Sequence, residues 1–308
     1  MDQNLAMNFT NPPSAVAYHA RALRASPRLD KARGFPAIAA KWSGHRMDTG
    51  HLTEFLRLTG LSAGRGLPVL YPQVLAFRLQ MAVITHPEFP LPIWGALQVR
   101  NHLLLRRPIS PWAVVDVETK ISGQRILEKG AEADLHTVLH SNGVPAWEGI
   151  TTFYYRGSFG GSDRPSEMAK GPVVGSTQAD AWTTGRGGGR RFAGLTGDYN
   201  GIHYWNWYAR RYGFSRAFHH PQAVVGKCMA RVRDPGEEGP QRLDIWLKGP
   251  VYYESDVSLR SSNAPGTTTF ALHLAHDERP AVVGKWSGGE EVRDFAGNRV
   301  PAYGEIAS

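Results

Sequence analysis

The chain has 308 residues, of which 42% are hydrophobic and 20% are charged, and these proportions are typical of a globular protein. Its 12 phenylalanines, 11 tyrosines and 9 tryptophans exclude disorder as the main state, because so much aromatic surface has to be buried. No run of about 18 apolar residues is present, so we expect no membrane span.

The start of the chain and its cysteine content indicate a compartment. The sequence begins Met1-Asp2-Gln3-Asn4, without the basic and apolar regions of a secretory signal peptide. The single cysteine, Cys228, excludes an intrachain disulfide framework and is interpreted as a core residue, since valines lie at helical spacing from it. We therefore expect a cytoplasmic protein.

The formal net charge is +8, and a charge of this sign attracts polyanions in general. The one tight basic cluster, residues 185–191, is rich in glycine. Its simplest interpretation is a surface loop, and a phosphate contact is the alternative. Because no aromatic RNA-binding motif or basic helix accompanies it, we expect no nucleic-acid partner.

The first half of the chain predicts two helices followed by strands. A short helix ends at the Thr59-Gly60 pair, and a longer apolar helix covers about residues 72–85. Strands rich in β-branched and aromatic residues follow, for example over 112–120. Residues 157–177, rich in Gly, Ser and Pro, then predict a linker.

The second half repeats this layout. A short helix ends at Thr196-Gly197, a longer helix covers about residues 221–233, and strands follow, for example over 251–260. Four short matches in the same order relate the halves at separations of about 135 to 149 residues, which suggests a duplicated unit. The matching pairs are Phe55–Leu61 with Phe192–Asp198, Tyr71–Val74 with His220–Ala223, Pro108-Ile109 with Pro250-Val251, and Pro145-Ala146 with Pro280-Ala281.

A long helix followed by a run of strands occurs in each half, and this pattern predicts an α+β fold with antiparallel sheets. The expected units are residues 36–156 and residues 178–301, joined by the linker. The halves differ after the Thr-Gly pair. The second half continues Asp198-Tyr199-Asn200-Gly201-Ile202-His203, whereas the first continues with Leu61 and has no acid, amide or imidazole there. Only the second unit therefore carries ionisable chemistry at this corner.

This second-half segment resembles the MaoC-like, or hydratase 2, family of acyl-thioester dehydratases. The family signature Asp-x-Asn-Pro-x-His is matched from Asp198 to His203, and its Ala-x-x-x-Gly-Phe stretch is matched from Ala209 to Phe214. Its His-Gly-Met before the central helix corresponds to His220-Pro221-Gln222. The run from Leu70 to Phe77 is similar to the degenerate half of double-hot-dog members. The resemblance implies two antiparallel sheets, each wrapped around a long central helix.

The resemblance implies an (R)-specific 2-enoyl-thioester hydratase, equivalently a 3-hydroxyacyl-thioester dehydratase, in which Asp198 and His203 share the catalytic water. Asn200, His220 and Gln222 are expected to support the site. Substrate contacts are expected from Leu75 and Leu79 of the first-half helix and from Tyr199, with the first unit holding the acyl chain. Without the resemblance, ordinary turn and capping chemistry would explain Asp198 and Asn200, and a half-buried helical residue would explain His203.

Two departures from the family pattern bear on activity. Gly201 replaces a proline, and Pro221 replaces the glycine whose backbone N–H helps to polarise the thioester carbonyl in the family. Proline has no N–H to donate, although it suits the first turn of a helix. The adjacent His219-His220 pair lacks a third ligand at a zinc-like spacing, so we expect no metal and no cofactor.

Two alternative functions stay open. One is a catalytically impaired hot-dog protein that binds acyl thioesters, and the other is a hot-dog thioesterase, since fold does not fix function. The expected partner is an acyl thioester of coenzyme A or of an acyl carrier protein. No membrane partner is expected. The expected assembly is a homodimer or a pseudo-dimeric monomer.

Overall fold

A computed structural model describes residues 5–62, 64–175, 177–236 and 239–303. It is an α+β structure with six α-helices and eleven strands over these ranges. The helices are α1 (Ala15–Ala22), α2 (Thr49–Thr59), α3 (Tyr71–Ile84), α4 (Gly189–Thr196), α5 (Asn206–Arg211) and α6 (Pro221–Met229). The strands are β1 (Leu5–Phe9), β2 (Ile38–Arg46), β3 (Ala96–Leu105), β4 (Val114–Leu127), β5 (Gly130–Ser141), β6 (Val144–Arg156), β7 (Gln178–Thr183), β8 (Gln241–Leu247), β9 (Asp256–Ala264), β10 (Thr267–Leu274) and β11 (Val282–Gly288).

The strand order confirms the internal duplication. The first five-stranded set runs β2-β4-β5-β6-β3, and the second runs β7-β9-β10-β11-β8, which is the same order of equivalent strands. Helices α2 and α4 end in the same way. Each has a glycine in the left-handed region just after its last residue, Gly60 at φ +79° and Gly197 at φ +80°. This conformation favours glycine, which accounts for the repeated Thr-Gly pair.

The two five-stranded sets join edge to edge. Strands β3 and β8 pair antiparallel, from Arg100 opposite Trp246 to Leu105 opposite Gln241. Strand β1 adds to β2 in parallel and completes one sheet of eleven strands. The pairing of β3 with β8 satisfies the backbone groups of two strands that would otherwise be sheet edges.

Helix α3 is the central helix of the first half. Every one of its residues except Arg78 is buried, and it packs against β2 and β4. Helix α6 takes the equivalent place in the second half and starts at Pro221. It ends at Met229 rather than near the expected residue 233, because the next amides, of Arg231 and Val232, bond three residues back in a tighter final turn.

The linker segment lies against the sheet of both halves. Its Asp163 exchanges two hydrogen bonds with the backbone of Ile126 in β4, with lengths of 2.7 and 3.0 Å. Its Met168 carbonyl accepts from the indole N–H of Trp246 in β8 at 2.8 Å. The observed strands on either side of it end at Arg156 and begin at Gln178. The division of the chain into two units stays a prediction.

The structure also orders residues that precede both expected units. Strand β1 extends the sheet, and α1 packs on α3. Tyr18 of α1 belongs to the main hydrophobic core, which draws residues from both halves, and Cys228 is buried in the same core as expected. No helix in the described part of the chain combines the length and the apolar composition that crossing a bilayer requires.

Two helical glycines provide a test of this packing. A Cβ on Gly226 of α6 would lie 2.4 Å from the methyl group of buried Thr59, whereas a Cβ on Gly194 of α4 would meet nothing within 4 Å. We expect Gly226→Ala to lower the free energy of unfolding by about 1–3 kcal/mol through overpacking. Gly194→Ala should raise it by about 0.5–1 kcal/mol, because alanine favours the helix. Chemical denaturation measures both, and an unchanged or more stable Gly226→Ala protein would contradict the described contact of α2 with α6.

Candidate active site

The turn after α4 presents the acid of the site. The amide of Asp198 bonds to the Thr196 hydroxyl at 3.0 Å, and its Oδ1 accepts from the amide of Asn200 at 3.1 Å. The Asn200 side chain in turn accepts from the amide of Ile202 at 3.2 Å and caps a short 3-10 helix, Gly201–His203. These local bonds fix the backbone of the turn, and they leave Asp198 Oδ2 free to face the end of the 3-10 helix.

The imidazole of His203 faces this carboxylate. Its Nδ1 donates to the carbonyl of Phe218 at 2.9 Å, so in the neutral ring Nε2 carries the lone pair. That Nε2 lies 3.5 Å from Asp198 Oδ2. A carboxylate oxygen and a ring nitrogen with a lone pair are both acceptors. One water molecule in front of these two acceptors can donate a hydrogen bond to each of them.

His220 lies directly against His203. The two rings are stacked, with centroids 3.9 Å apart and an interplanar angle of 25°. His220 Nε2 donates to the backbone carbonyl of Asp198 at 3.0 Å, which ties the turn to the start of α6. Burial and the neighbouring His203 lower the pKa of His220 to about 3, so this ring is neutral at physiological pH.

The charge state of Asp198 follows from the same neighbours. Burial acts to raise the pKa of this carboxyl group, but the neighbouring imidazoles of His203 and His220 and the hydrogen bond from the Asn200 amide outweigh it. The resulting pKa is about 2, and Asp198 is therefore ionised at neutral pH.

The fold brings Asp198, His203 and His220 within 4.8 Å of one another, a triad of possible metal ligands that the sequence spacing did not suggest. The stacking of the two rings does not suit metal ligation. Each imidazole lone pair lies in its own ring plane, and an ion in the plane of one stacked ring lies well outside the plane of the other. The three side chains fit proton transfer better than metal binding.

Asp198 and His203 face a cavity of about 380 Å³ that is lined by residues of both halves. Its walls are largely apolar and draw on α1, α3, β3 and the segments around α6. Asp198, Asn200 and His203 line it together with Pro221. Further apolar lining comes from Trp94, Phe153, Phe214, Phe218, Leu247 and Val282.

Three expected substrate contacts are not in the lining. Leu75 and Leu79 are buried in the core and do not reach the cavity. The face of α3 that lines the cavity carries Phe77, Met81 and Ile84. Leu75 and Leu79 lie on other faces of the same helix. Tyr199 is 47% exposed and lies outside the lining. Gln222 is buried next to the cavity and donates to Gln98, a lining residue of β3.

The N-terminal contribution to the site was not predicted from the sequence. Tyr18, His19 and Ala22 of α1 line the cavity. The Pro-Pro-Ser sequence before α1 is a recognisable helix start, and the Ser14 hydroxyl caps it, but nothing local connects this helix with Asp198.

Side chains of the first half hold the end of α4. The last carbonyls of a helix have no hydrogen-bond partners within the helix. Here three side chains donate hydrogen bonds to carbonyls at the end of α4. His51 Nε2 donates to Leu195 O at 3.0 Å, Arg78 donates to Gly194 O at 3.1 Å, and the Tyr18 hydroxyl donates to Gly197 O. His51 is itself oriented by the Tyr71 hydroxyl at 2.8 Å. We call Tyr18, His51 and Arg78 the carbonyl clamp.

Known proteins are similar to this chain in sequence and in fold. No family model matches the chain. A curated relative, 3-hydroxyacyl-thioester dehydratase X of Mycobacterium tuberculosis, is 28% identical over 188 residues, which are 60% of this chain. The match spans 66% of the length of that relative.

Solved structures show the fold. The crystal structure of HtdX from Mycobacterium tuberculosis matches 82% of this chain and 100% of its own, with a TM-score of 0.70 and 22% identity. A MaoC-like dehydratase from Phytophthora capsici matches 83% and 96%, with a TM-score of 0.67 and 18% identity. A Mycobacterium tuberculosis protein described as a double hot-dog matches 82% and 95%, with a TM-score of 0.53 and 12% identity. The predicted double hot-dog fold and the resemblance to MaoC-like dehydratases are confirmed.

The carbonyl clamp can be tested through backbone protection. Tyr18→Phe removes the hydroxyl that holds Gly197 O, so we expect faster amide hydrogen exchange over residues 189–203 in mass spectrometry. The control Tyr154→Phe also removes a hydroxyl that donates to a carbonyl, that of Lys129, but on a distant hairpin. It should leave exchange over 189–203 unchanged. Equal exchange in the Tyr18→Phe and wild-type proteins would show that the clamp does not hold the turn.

The buried histidines predict acid sensitivity. Burial lowers the pKa of His219 to about 3, while a histidine in the unfolded chain has a pKa of about 6.5. The unfolded state therefore binds more protons between these values, and stability falls as the pH falls below about 6.5. Each such histidine contributes a slope of about 1.4 kcal/mol per pH unit. We expect His219→Gln to reduce the loss of stability between pH 7 and pH 5 in denaturation experiments, whereas an identical loss would contradict the neutral burial of this ring.

Proposed function

We propose that the protein is a hydro-lyase that adds water to trans-2-enoyl thioesters and, in reverse, dehydrates (R)-3-hydroxyacyl thioesters. The observation that carries the proposal is the convergence of Asp198 Oδ2 and His203 Nε2, 3.5 Å apart, at the wall of a largely apolar cavity. The name of the curated relative, a 3-hydroxyacyl-thioester dehydratase, supports the same reaction class.

In this proposal His203 is the base. The Phe218 carbonyl holds its Nδ1–H, so Nε2 is ready to take a proton. Asp198, with a pKa of about 2, is a weak base, and its charge instead stabilises the imidazolium that forms. His220 is buried and neutral, and it does not compete for the proton.

The proposed hydration balances with one water molecule. The water forms a hydrogen bond to Asp198 with one hydrogen, which stays on its oxygen, and loses the other as a proton to His203 Nε2 while its oxygen bonds to C3. The electron pair of the C2–C3 double bond shifts towards the thioester carbonyl to give an enolate. The imidazolium then returns its proton to C2, and the net change is the addition of H and OH. Dehydration follows the same steps in reverse.

The cavity suits an acyl chain and a phosphate-bearing carrier. Phe77, Met81 and Ile84 offer an apolar wall to the hydrocarbon. Arg156 and Lys248 are exposed and also line the cavity. We propose that these two cations meet the phosphate that coenzyme A and the phosphopantetheine arm of an acyl carrier protein have in common.

One observation favours a second candidate function. Helix α6 begins with Pro221, which lines the cavity and has no N–H for the thioester carbonyl. A protein without an oxyanion donor would bind acyl thioesters and turn them over slowly. Assay of the purified protein distinguishes this binding function from the lyase.

The test uses a series of trans-2-enoyl-CoA substrates, from crotonyl-CoA to octenoyl-CoA, with chiral analysis of the product. We expect the (R)-3-hydroxyacyl product from the wild type. Asp198→Asn and His203→Gln should each lower kcat by about 10²–10⁴-fold, since each removes a group of the proton-transfer pair.

The matched controls are Asp277→Asn and His276→Gln, the same changes on a surface turn. They should retain wild-type rates. Substantial activity in Asp198→Asn or His203→Gln would show that these residues do not carry the reaction. Binding of the substrates by the wild type without hydration would favour the binding function.

A further inference from the structure

A line of buried polar side chains runs from the core of the first half to the cavity. Gln73 and Gln80 of α3 each donate an amide hydrogen to the Thr151 hydroxyl at 3.0 Å. Thr151 donates to Asn101 Oδ1 at 3.0 Å, and Gln98 Nε2 donates to the same oxygen at 3.0 Å. Gln98 Oε1 accepts from Gln222 Nε2 at 3.0 Å. Gln73, Gln80 and Thr151 are fully buried.

The donors and acceptors of this line fix the orientation of Gln98. Because the Thr151 oxygen already accepts from two glutamines, its own hydrogen goes to Asn101 Oδ1. An oxygen that accepts from Thr151 faces Gln98 as an acceptor too, so Gln98 presents its NH₂ group to Asn101. Its carbonyl oxygen is then directed at Gln222. The amide of Gln98 has two hydrogens, and the second has no partner among the residues that the structure describes.

Gln98 lies at the cavity, where the second hydrogen of its amide can contact a bound substrate. The pairing of β3 with β6 has a bulge between Gln98 and Arg100, and a bulge changes the direction of the side chains around it. Gln98 lines the cavity together with Pro221 and His203. Its bond to Gln222 places it beside the first turn of α6, the positive end of that helix. This is the helix start at which Pro221 removes a backbone donor.

We infer that Gln98 is a catalytic residue whose free amide hydrogen binds the thioester carbonyl oxygen, the role that the backbone at Pro221 cannot perform. The inference rests on the proposed function. As negative charge develops on the oxygen in the enolate, the bond to Gln98 strengthens, so the donor lowers the barrier more than it tightens substrate binding. The line of buried amides holds the donor in place before the substrate arrives.

The test replaces Gln98 with methionine, which has a similar shape and no N–H. With crotonyl-CoA as substrate, kcat should fall by about 10²–10³-fold, while KM changes by less than about threefold. A spectroscopic measurement is independent of turnover. Binding of 2,4-hexadienoyl-CoA to the wild type should shift the ultraviolet absorption of the dienoyl thioester to longer wavelength, because a bound donor polarises its carbonyl. Gln98→Met should lose this shift.

The matched control is Gln241→Met, which removes a buried glutamine of β8 that belongs neither to this line nor to the cavity lining. Its side chain donates to the carbonyl of Gly236 at 3.1 Å. The melting temperature of this variant should fall to a similar degree, but its kcat and the spectral shift should stay near those of the wild type. A loss of kcat in Gln98→Met no greater than in Gln241→Met, or an unchanged spectral shift, would overturn the inference.

The results also separate the inference from the proposed function. If the wild type hydrates crotonyl-CoA but Gln98→Met behaves like the control, the function stands and the role of Gln98 is wrong. If the wild type binds 2,4-hexadienoyl-CoA without hydrating any enoyl thioester, the function is wrong, and the spectral shift still decides whether Gln98 binds the carbonyl. If the wild type binds neither thioester, both proposals are wrong.

Discussion

The geometry of the candidate site depends on how the C-terminal end of α4 is held. Its last carbonyls have no hydrogen-bond partners within the helix. Tyr18, His51 and Arg78, from the first half of the chain, donate hydrogen bonds to carbonyls there. Asp198 follows Gly197, one of the residues held in this way. The first half, which has no acid at the equivalent corner, therefore has a structural role, because it fixes the turn that presents Asp198 in the second half.

The continuous sheet explains why one cavity serves both halves. Pairing of β3 with β8 joins the strands of both halves in one sheet, and the cavity is lined both by α3 and by the start of α6. At the equivalent corner of the first half, Leu61 stands where Asp198 stands in the second. Duplication thus provides two copies of the same frame. The first copy has no acid at this corner, and its central helix contributes an apolar wall of Phe77, Met81 and Ile84 to the cavity.

The site also shows how neutral polar groups control a charged one. His220 stacks on His203 and donates to the Asp198 backbone, and burial keeps it uncharged. The Phe218 carbonyl selects the tautomer of His203. These contacts leave one carboxylate and one lone pair directed at the same point. In the proposed reaction, a second protonated group there would occupy the position of the water molecule.

The sequence by itself determined the features that are local to a few residues. The Thr-Gly helix ends, the proline starts of the central helices and the Asp198–His203 turn depend on neighbouring residues, so they could be predicted. The cavity-facing side of α3 could not be, because nearly every residue of that helix is buried and its apolar pattern marks no face. Tyr18 and Gln98 were also beyond prediction. Tyr18 binds Gly197 from 179 residues away. Gln98 depends on a bulge, on Asn101 of its own strand and on Gln222 of α6, which lies more than 120 residues away. Only the tertiary structure decided these contacts, because a hydrogen bond between distant segments leaves no pattern in the sequence around either partner.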